Sequence, residues 1–332
     1  KIININVEEK ATGEISAGAG VGTSGSTIAF GIIENNYMGK GIKLDANLAI
    51  SEESIKGLFA VNNPNFRLSG NSLNTRIESS TTNRLADQGY KTTKTGFSFG
   101  TYFEQWDDIY LAPKIATYYE NLSTTTTASS ALIKQDGTYF YTNVSYAIIN
   151  DKRDQSFQPT EGYRIAFSQK LPIYSDAPSI RNGLDIAKYF TPMDHVITSL
   201  RLFSRAINGI SEDVRVSERL SVPSKYLRGF ERGRIGPVDS GEHIGGNLAT
   251  AFGINTQFTN LFPNFTNTNF GLFFDTANVW GVDFRDSYDD SNKIRSSYGM
   301  SIDWLTPVGP LSFSLSQALT KMDTDLEESV RF

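Results

Sequence analysis

The sequence predicts an all-β fold, a transmembrane antiparallel β-barrel of about sixteen strands. Three observations lead to it. Apolar residues recur with a period of two along most of the chain, so side chains fall alternately on opposite faces of extended segments. No run of the roughly 18 apolar residues that a membrane helix needs occurs. The 332 residues are only 39% hydrophobic yet carry 28 glycines and 12% aromatics, a mix that suits sheets with one wet face better than a large dry core.

Composition also excludes several function classes. With 31 basic and 36 acidic residues the charge is nearly balanced at -5, which argues against a phosphate-driven nucleic-acid binder. Zero cysteine removes thiolate metal sites, a cysteine nucleophile and a disulfide scaffold. Two histidines leave little room for histidine-based metal chemistry. Lys1 is not an initiator and no signal peptide precedes the pattern, so the chain reads as part of a processed protein.

Residues 1–12 open with Ile2-Ile3-Asn4-Ile5-Asn6-Val7-Glu8-Glu9-Lys10, which reads as one strand ending in charge, the tail of a preceding soluble domain. Residues 13–332 carry the barrel pattern. Phe97, Phe99 and Phe103 alternate with Ser98, Gly100 and Tyr102. Phe140, Val144, Tyr146 and Ile148 stand opposite Tyr141, Asn143, Ser145 and Ala147. Tyr163, Ile165, Phe167 and Leu171 stand opposite Arg164, Ala166, Ser168 and Lys170. Val196, Leu200 and Leu202 alternate with Ser199, Arg201 and Phe203. Tyr298, Met300, Ile302 and Trp304 alternate with Gly299, Ser301 and Asp303, and Leu311, Phe313 and Leu315 with Ser312, Ser314 and Ser316. The best helical candidate, residues 182–190, is short and compatible with a strand.

A soluble sandwich would hide the apolar faces in a dry core; a membrane barrel turns them to lipid and keeps the polar faces wet. Polar faces built from Gly, Ser, Ala, Lys and Arg, and Tyr and Phe near strand ends, favour the barrel. Residues 13–332, at about 20 per strand with its turn, give about sixteen strands. Tight turns are expected at Tyr37-Met38-Gly39-Lys40-Gly41, Asn62-Asn63-Pro64-Asn65 and Thr306-Pro307-Val308-Gly309-Pro310. Longer loops are expected over residues 81–95 and 283–292.

The longest irregular stretch, residues 218–247, holds Tyr226-Leu227-Arg228-Gly229-Phe230, Arg234-Ile235-Gly236-Pro237 and Gly245-Gly246-Asn247. Here the chain resembles the BamA-type outer-membrane protein-assembly family, whose large extracellular loop carries a Val-Arg-Gly-Phe signature and folds back into the barrel lumen. Leu227 replaces the first residue of that signature. Phe274-Asp275-Thr276-Ala277-Asn278-Val279-Trp280 resembles the family's aromatic-Asp strand, and Trp304 to Leu311 its penultimate hairpin. Residues 151–162, with Asp154, Pro159 and Gly162, are similar to a mid-barrel turn, and Asn35-Asn36-Tyr37-Met38-Gly39 to the first hairpin. The resemblance covers essentially the whole chain.

An arginine in a lumen needs a partner, because an unpaired confined charge is costly. Asp275 shares a face with Phe273, opposite Leu272 and Phe274, so it should point inward and pair with Arg228. Gly229 would permit close backbone approach, with Phe230 packed beside it. The resemblance implies the same pairing; a second acidic partner of the family falls on Asn255 here. The alternative is an exposed loop with a solvated arginine.

The second candidate site is a seam. The first strand carries Ile15, Ala17, Gly18, Ala19, Gly20, Val21 and Gly22, and glycine weakens strand interiors. No helix follows to make the Gly-x-Gly-x-Gly run a nucleotide loop. Its partner in a closed barrel would be Glu328, Ser329, Val330, Arg331 and Phe332, although the family's last strand usually runs several residues further, so a shortened C-terminus is expected. A plain strand of small lumen-facing residues is the alternative. The resemblance implies weak closure that opens sideways and pairs a nascent strand by β-augmentation.

His195 and His243 lack metal-like spacing, Asp283, Asp286, Asp289 and Asp290 read as a solvated loop rather than a cation site, and Arg164, Lys170, Arg201 and Arg205 should face the lumen. No nucleophile–base–orienter set is readable, so no enzyme, metal or cofactor is expected. The resemblance implies an insertase of the outer membrane of a Gram-negative bacterium. Its partners would be membrane lipids, nascent outer-membrane β-barrel proteins and accessory periplasmic lipoproteins, with no nucleic acid, and upstream periplasmic POTRA modules would precede it. A same-superfamily exporter and a passive diffusion porin are the alternatives.

Overall fold

In the computed structural model, residues 8, 10–22, 25–86, 88–259, 261, 267–283, 288–289, 292–306 and 309–332 are described. Fifteen long strands follow in chain order: β1 (Gly13–Gly22), β2 (Gly25–Tyr37), β3 (Ile42–Ser51), β4 (Ser54–Asn63), β5 (Ser72–Arg84), β6 (Tyr90–Trp106), β7 (Ile109–Leu111 with Lys114–Thr124), β8 (Gly137–Asp151), β9 (Gly162–Ser175), β10 (Ser179–Met193), β11 (Val196–Gly209), β12 (Leu248–Phe258), β13 (Thr268–Trp280), β14 (Arg295–Thr306) and β15 (Gly309–Thr320). The short β16 (Val330–Arg331) completes sixteen. β7 is one strand in two pieces, because both pair with β6 and β8 around Ala112-Pro113, where proline offers no N–H to the ladder.

Each strand pairs antiparallel with the next, from β1–β2 to β15–β16. The period of two is physical. Phe30, Ile32, Phe59, Ile77, Phe97, Phe99, Met300 and Phe313 are exposed, whereas Ser98, Asn143, Ser199, Ser301 and Ser314 on the alternate face are buried. So much exposed apolar surface is tolerable only against lipid. No helix among the described residues is long and apolar enough to cross a membrane; the crossing is made by strands. On the outward face, among the apolar side chains, hydroxyls pair across neighbouring strands, such as Thr117–Thr142 at 3.0 Å and Thr198–Thr256 at 3.1 Å, so each satisfies the other where lipid offers no partner.

The turn at residues 38–41 forms where expected, and residues 64–71 join β4 to β5 through a single 3-10 turn, Phe66–Leu68. Pro307 and Val308 of the third expected turn lie outside the described residues. The expected loop at 81–95 is mostly strand: β5 runs to Arg84, β6 resumes at Tyr90, and Thr81 and Thr93 hydroxyls meet at 3.1 Å. A polar Ser/Thr run looks like a loop, yet threonine is β-branched and its hydroxyl pairs across strands. Residues 182–190 are strand, inside β10. Of the N-terminal tail, residues 1–7 and 9 lie outside the described residues.

Candidate functional site

The connection from β11 to β12, residues 210–247, packs against the face of β11–β13 opposite the apolar band. Two 3-10 turns, Val216–Glu218 and Ser224–Tyr226, compact it. Val214, Leu220, Val222, Leu227, Phe230 and Ile235 bury themselves against Phe203, Ile207, Ala249, Ala251, Ala277 and Val279. Small alanines on the wall leave room for the loop's larger side chains. Full burial of a residue such as Leu227 or Phe230 contributes about 1.5–3 kcal/mol.

Arg228 fastens this apolar contact. Its Nε and Nη2 donate to Asp275 at 2.7 and 2.9 Å, its backbone N–H donates to Asp275 Oδ2 at 3.1 Å, and its Nη1 donates to Asn255 Oδ1 at 3.2 Å. Asp275 is fully buried, and the guanidinium lies 3.4 Å from the centre of the Phe273 ring. A planar fork, a carboxylate and an aromatic face are the partners arginine meets bidentately and stacks upon. Gly229 has φ +89, and a Cβ there would stand 3.1 Å from Ser297 Cβ, so the loop passes β14 at a distance only glycine allows. Ser297 Oγ closes the contact by donating to the Arg228 carbonyl.

The loop also holds the last strand. Gly229–Phe230 forms a two-residue antiparallel ladder with Glu327–Glu328. Arg331 donates to the carbonyls of Ser224 at 3.0 Å and Phe230 at 2.6 Å, and its Nε to Glu328 at 2.6 Å. This corrects the expected seam strand. Glu328 belongs to the ladder with the loop; only Val330 and Arg331 pair with β15, opposite Leu315 and Ser314. Two backbone directions compete here, and the chain changes partner at Ser329, whose carbonyl accepts from Ser316 N–H. Val330 is 54% exposed while Arg331 turns inward to the loop, and no local feature of the sequence marks the change of partner.

On the other side of the seam, β1 pairs with β2 from Gly13–Glu34 to Gly22–Gly25. Ile15 and Val21 are 86% and 74% exposed, and Gly18 and Gly20 face open space. Among the described residues no ladder joins β1 to β16. The two ends meet at Gly22, where a Cβ would stand 2.8 Å from the Phe332 carbonyl oxygen.

A second ionic cluster, not anticipated from the sequence, pins the start of the loop to the opposite wall. Arg215 is buried between Glu120 at 3.5 Å and Glu218 at 3.3 Å, and Lys170 meets Glu218 at 2.7 Å. Burial alone would raise the Glu218 carboxyl, but the charges of Lys170, Arg215 and Arg181 outweigh it and hold the group well below the usual carboxylate range. The other expected inward cations are also engaged: Arg205 with Asp185 at 2.6 Å, Arg164 with Asp151 at 3.6 Å, and Arg201 over the Tyr226 ring. His195 sits in the turn after β10, its carbonyl accepting from Thr259, and His243 is buried within the loop. Asp283 accepts from Val214 N–H and Asn247, while Asp286 and Asp290 lie outside the described residues. Among the described residues no His, Asp and Glu group is arranged to hold a metal.

Comparison with known proteins agrees with this architecture. Over 341 residues the chain is 24% identical to the outer membrane protein assembly factor BamA of Neorickettsia risticii (strain Illinois), covering 100% of this chain and 46% of that protein. It is 22% identical to the factor of the same name from Neisseria meningitidis serogroup B, covering 99% and 47%. The chain thus spans about half the length of these relatives. The fold is that of BamA from Haemophilus ducreyi lacking POTRA domains 1-3, with a TM-score of 0.87 at 21% identity over 98% of this chain and 70% of that one. CdiB from Acinetobacter baumannii is more distant, with a TM-score of 0.60 at 13% identity over 96% and 58%. Residues 36–332 match the Omp85 superfamily domain, and the chain belongs to that superfamily as a β-barrel of the outer membrane.

Proposed function

We propose that the chain is the membrane barrel of an outer-membrane protein assembly factor, working as an insertase through its seam. The supporting observation is the edge of β1. That strand is hydrogen-bonded on one side by β2, and among the described residues no ladder joins its other side to the last strand, whose end abuts it at Gly22. An unpaired edge in a bilayer carries N–H and C=O groups that hydrocarbon cannot satisfy. An incoming strand of a nascent outer-membrane barrel satisfies them by β-augmentation, lowering its own cost of entering lipid. Each added strand exposes a new edge, so a growing sheet needs no external energy source.

The loop occupies the lumen and acts as the strut. Arg228 fixes it to Asp275, and Arg331 with the Glu327–Glu328 ladder fixes the last strand to the loop. The edge is thereby kept available while the rest of the wall stays closed. POTRA modules and accessory lipoproteins on the periplasmic side would deliver the substrate.

Depletion of the full-length protein tests this reading. Loss of many different barrel proteins from the outer membrane is the expected result. Loss of a single secreted protein would identify an exporter instead, and a large steady conductance of the purified protein with no assembly defect would identify a porin.

A further inference from the structure

Beside the cluster that pins the start of the loop lies a cavity of about 330 Å³. Four cations line it: Lys94 on β6, Lys114 on β7, Lys170 on β9 and Arg181 on β10. Two carboxylates, Glu120 and Glu218, face them. Both are already committed. Glu218 accepts from Lys170, from Ser179 Oγ at 3.0 Å and from Arg215. Glu120 accepts from Thr92 Oγ1 at 2.9 Å and from Tyr141 OH at 3.3 Å, and is ion-paired with Arg215 at 3.5 Å.

The remaining cations are less well matched. Among the described residues Lys94 and Lys114 meet no carboxylate, and the Lys94 ammonium rests over the Tyr118 and Tyr141 rings at 4.2 and 5.0 Å. Arg181 spends Nη2 on the Glu218 carbonyl, and its Nε is buried without a partner. Ser217, a loop residue lining the cavity, also buries an unpartnered hydroxyl. Like charges gathered around one cavity repel, and buried donors left unmade there, as Arg181 Nε and Ser217 Oγ are, are costly.

We propose that this cavity binds a small multivalent oxyanion of the inorganic phosphate class. A tetrahedral oxyanion offers several acceptor oxygens at once, which suits ammonium, guanidinium and hydroxyl donors converging from different strands. Halide carries one charge and no directed acceptors, so it balances the site poorly. The bound oxyanion bridges Ser217 of the loop to Lys94, Lys114 and Arg181 of the wall. It gives the loop a second anchor on β6–β10, remote along the sheet from the Asp275 anchor on β13. The site stands on its own geometry and does not depend on the insertase reading.

The test uses the full-length protein in detergent micelles, titrated with inorganic phosphate at constant ionic strength held by chloride. The expected result is a saturable rise in protease resistance of residues 214–220, with matching 31P line broadening, and no such rise when chloride alone is varied. Lys94→Gln with Lys114→Gln should weaken phosphate binding at least tenfold. Ser217→Ala, a milder change that leaves the strands intact, should weaken it severalfold. A non-saturable response, or an undiminished one in a folded Ser217→Ala or double-glutamine protein, overturns the site.

Discussion

Arg331 reaches from the last strand to the carbonyl of Phe230, two residues beyond the arginine that grips Asp275. Four consecutive loop residues therefore join two walls: Leu227 and Arg228 to β11–β13, Gly229 and Phe230 to the run leading into β16. Arg331→Met keeps the aliphatic stem and removes the donors. Spin labels at the exposed positions Lys225 and Ser329 should give a narrow distance distribution in the native protein and a broad one in the variant. An unchanged distribution would show that the link does not hold the strand.

Asp275→Asn leaves the Arg228 guanidinium inward without its counter-charge. Removing one partner of a buried pair costs about 3–5 kcal/mol. The loop should become cleavable by trypsin around Arg228 and Arg234 while the strands stay folded in gel-shift assays. Retained loop protection would refute the anchoring role.

Gly229→Ala tests the close pass. With φ at +89 and Ser297 Cβ 3.1 Å away, the new methyl group is both strained and crowded. A penalty of about 1–3 kcal/mol is expected, visible as loop release at lower urea. By contrast Gly18→Ser, whose side chain would enter open space, should change stability by no more than about 0.5 kcal/mol.

The two faces of the wall can be told apart directly. Met300 is 55% exposed in the apolar band. Met300→Arg should cost about 2–4 kcal/mol if the site lies near the bilayer midplane, measured by urea unfolding in lipid vesicles. A neutral outcome would contradict a lipid-facing position.

Acid should loosen the start of the loop. The Glu218 carboxyl is held below its ordinary 4.5, so its stabilisation is complete above that pH and drains away as pH falls below it. Hydrogen exchange across residues 214–220 should accelerate on acidification through that range. Glu218→Gln should remove the acid dependence and leave the segment less protected at neutral pH.

The barrel was legible in the sequence because lipid and water impose opposite demands on neighbouring side chains. Tyr298, Met300 and Ile302 alternate with Gly299, Ser301 and Asp303 without exception, and the solvent pattern alone reads out the strand. Residues 81–95 were not legible as strand because threonine serves loop and sheet equally, and the register that pairs Thr81 with Thr93 is set by distant neighbours. Asp275 could be placed on the inward face by counting, and the Arg-Gly-Phe run stood out by its resemblance to the family's loop signature. Glu218 and Lys170 could not be joined from sequence, since 48 residues separate them and only the curvature of the wall brings them together. The change of partner at Ser329 was hidden for a related reason: Glu328 and Val330 are both good strand residues, and nothing local tells which neighbour each will choose.

The strands are of unequal height. β1, β3 and β4 have 10 residues each, whereas β8 to β11 have 14 or 15. At roughly 3.3 Å per residue, and tilted as barrel strands are, ten residues barely cross the hydrocarbon, while fifteen stand well clear of it. The rim is lopsided, with its low parapet beside β1. Hydrophobic mismatch is expected to be greatest beside β1, where a bilayer has to thin to meet the shallowest part of the wall.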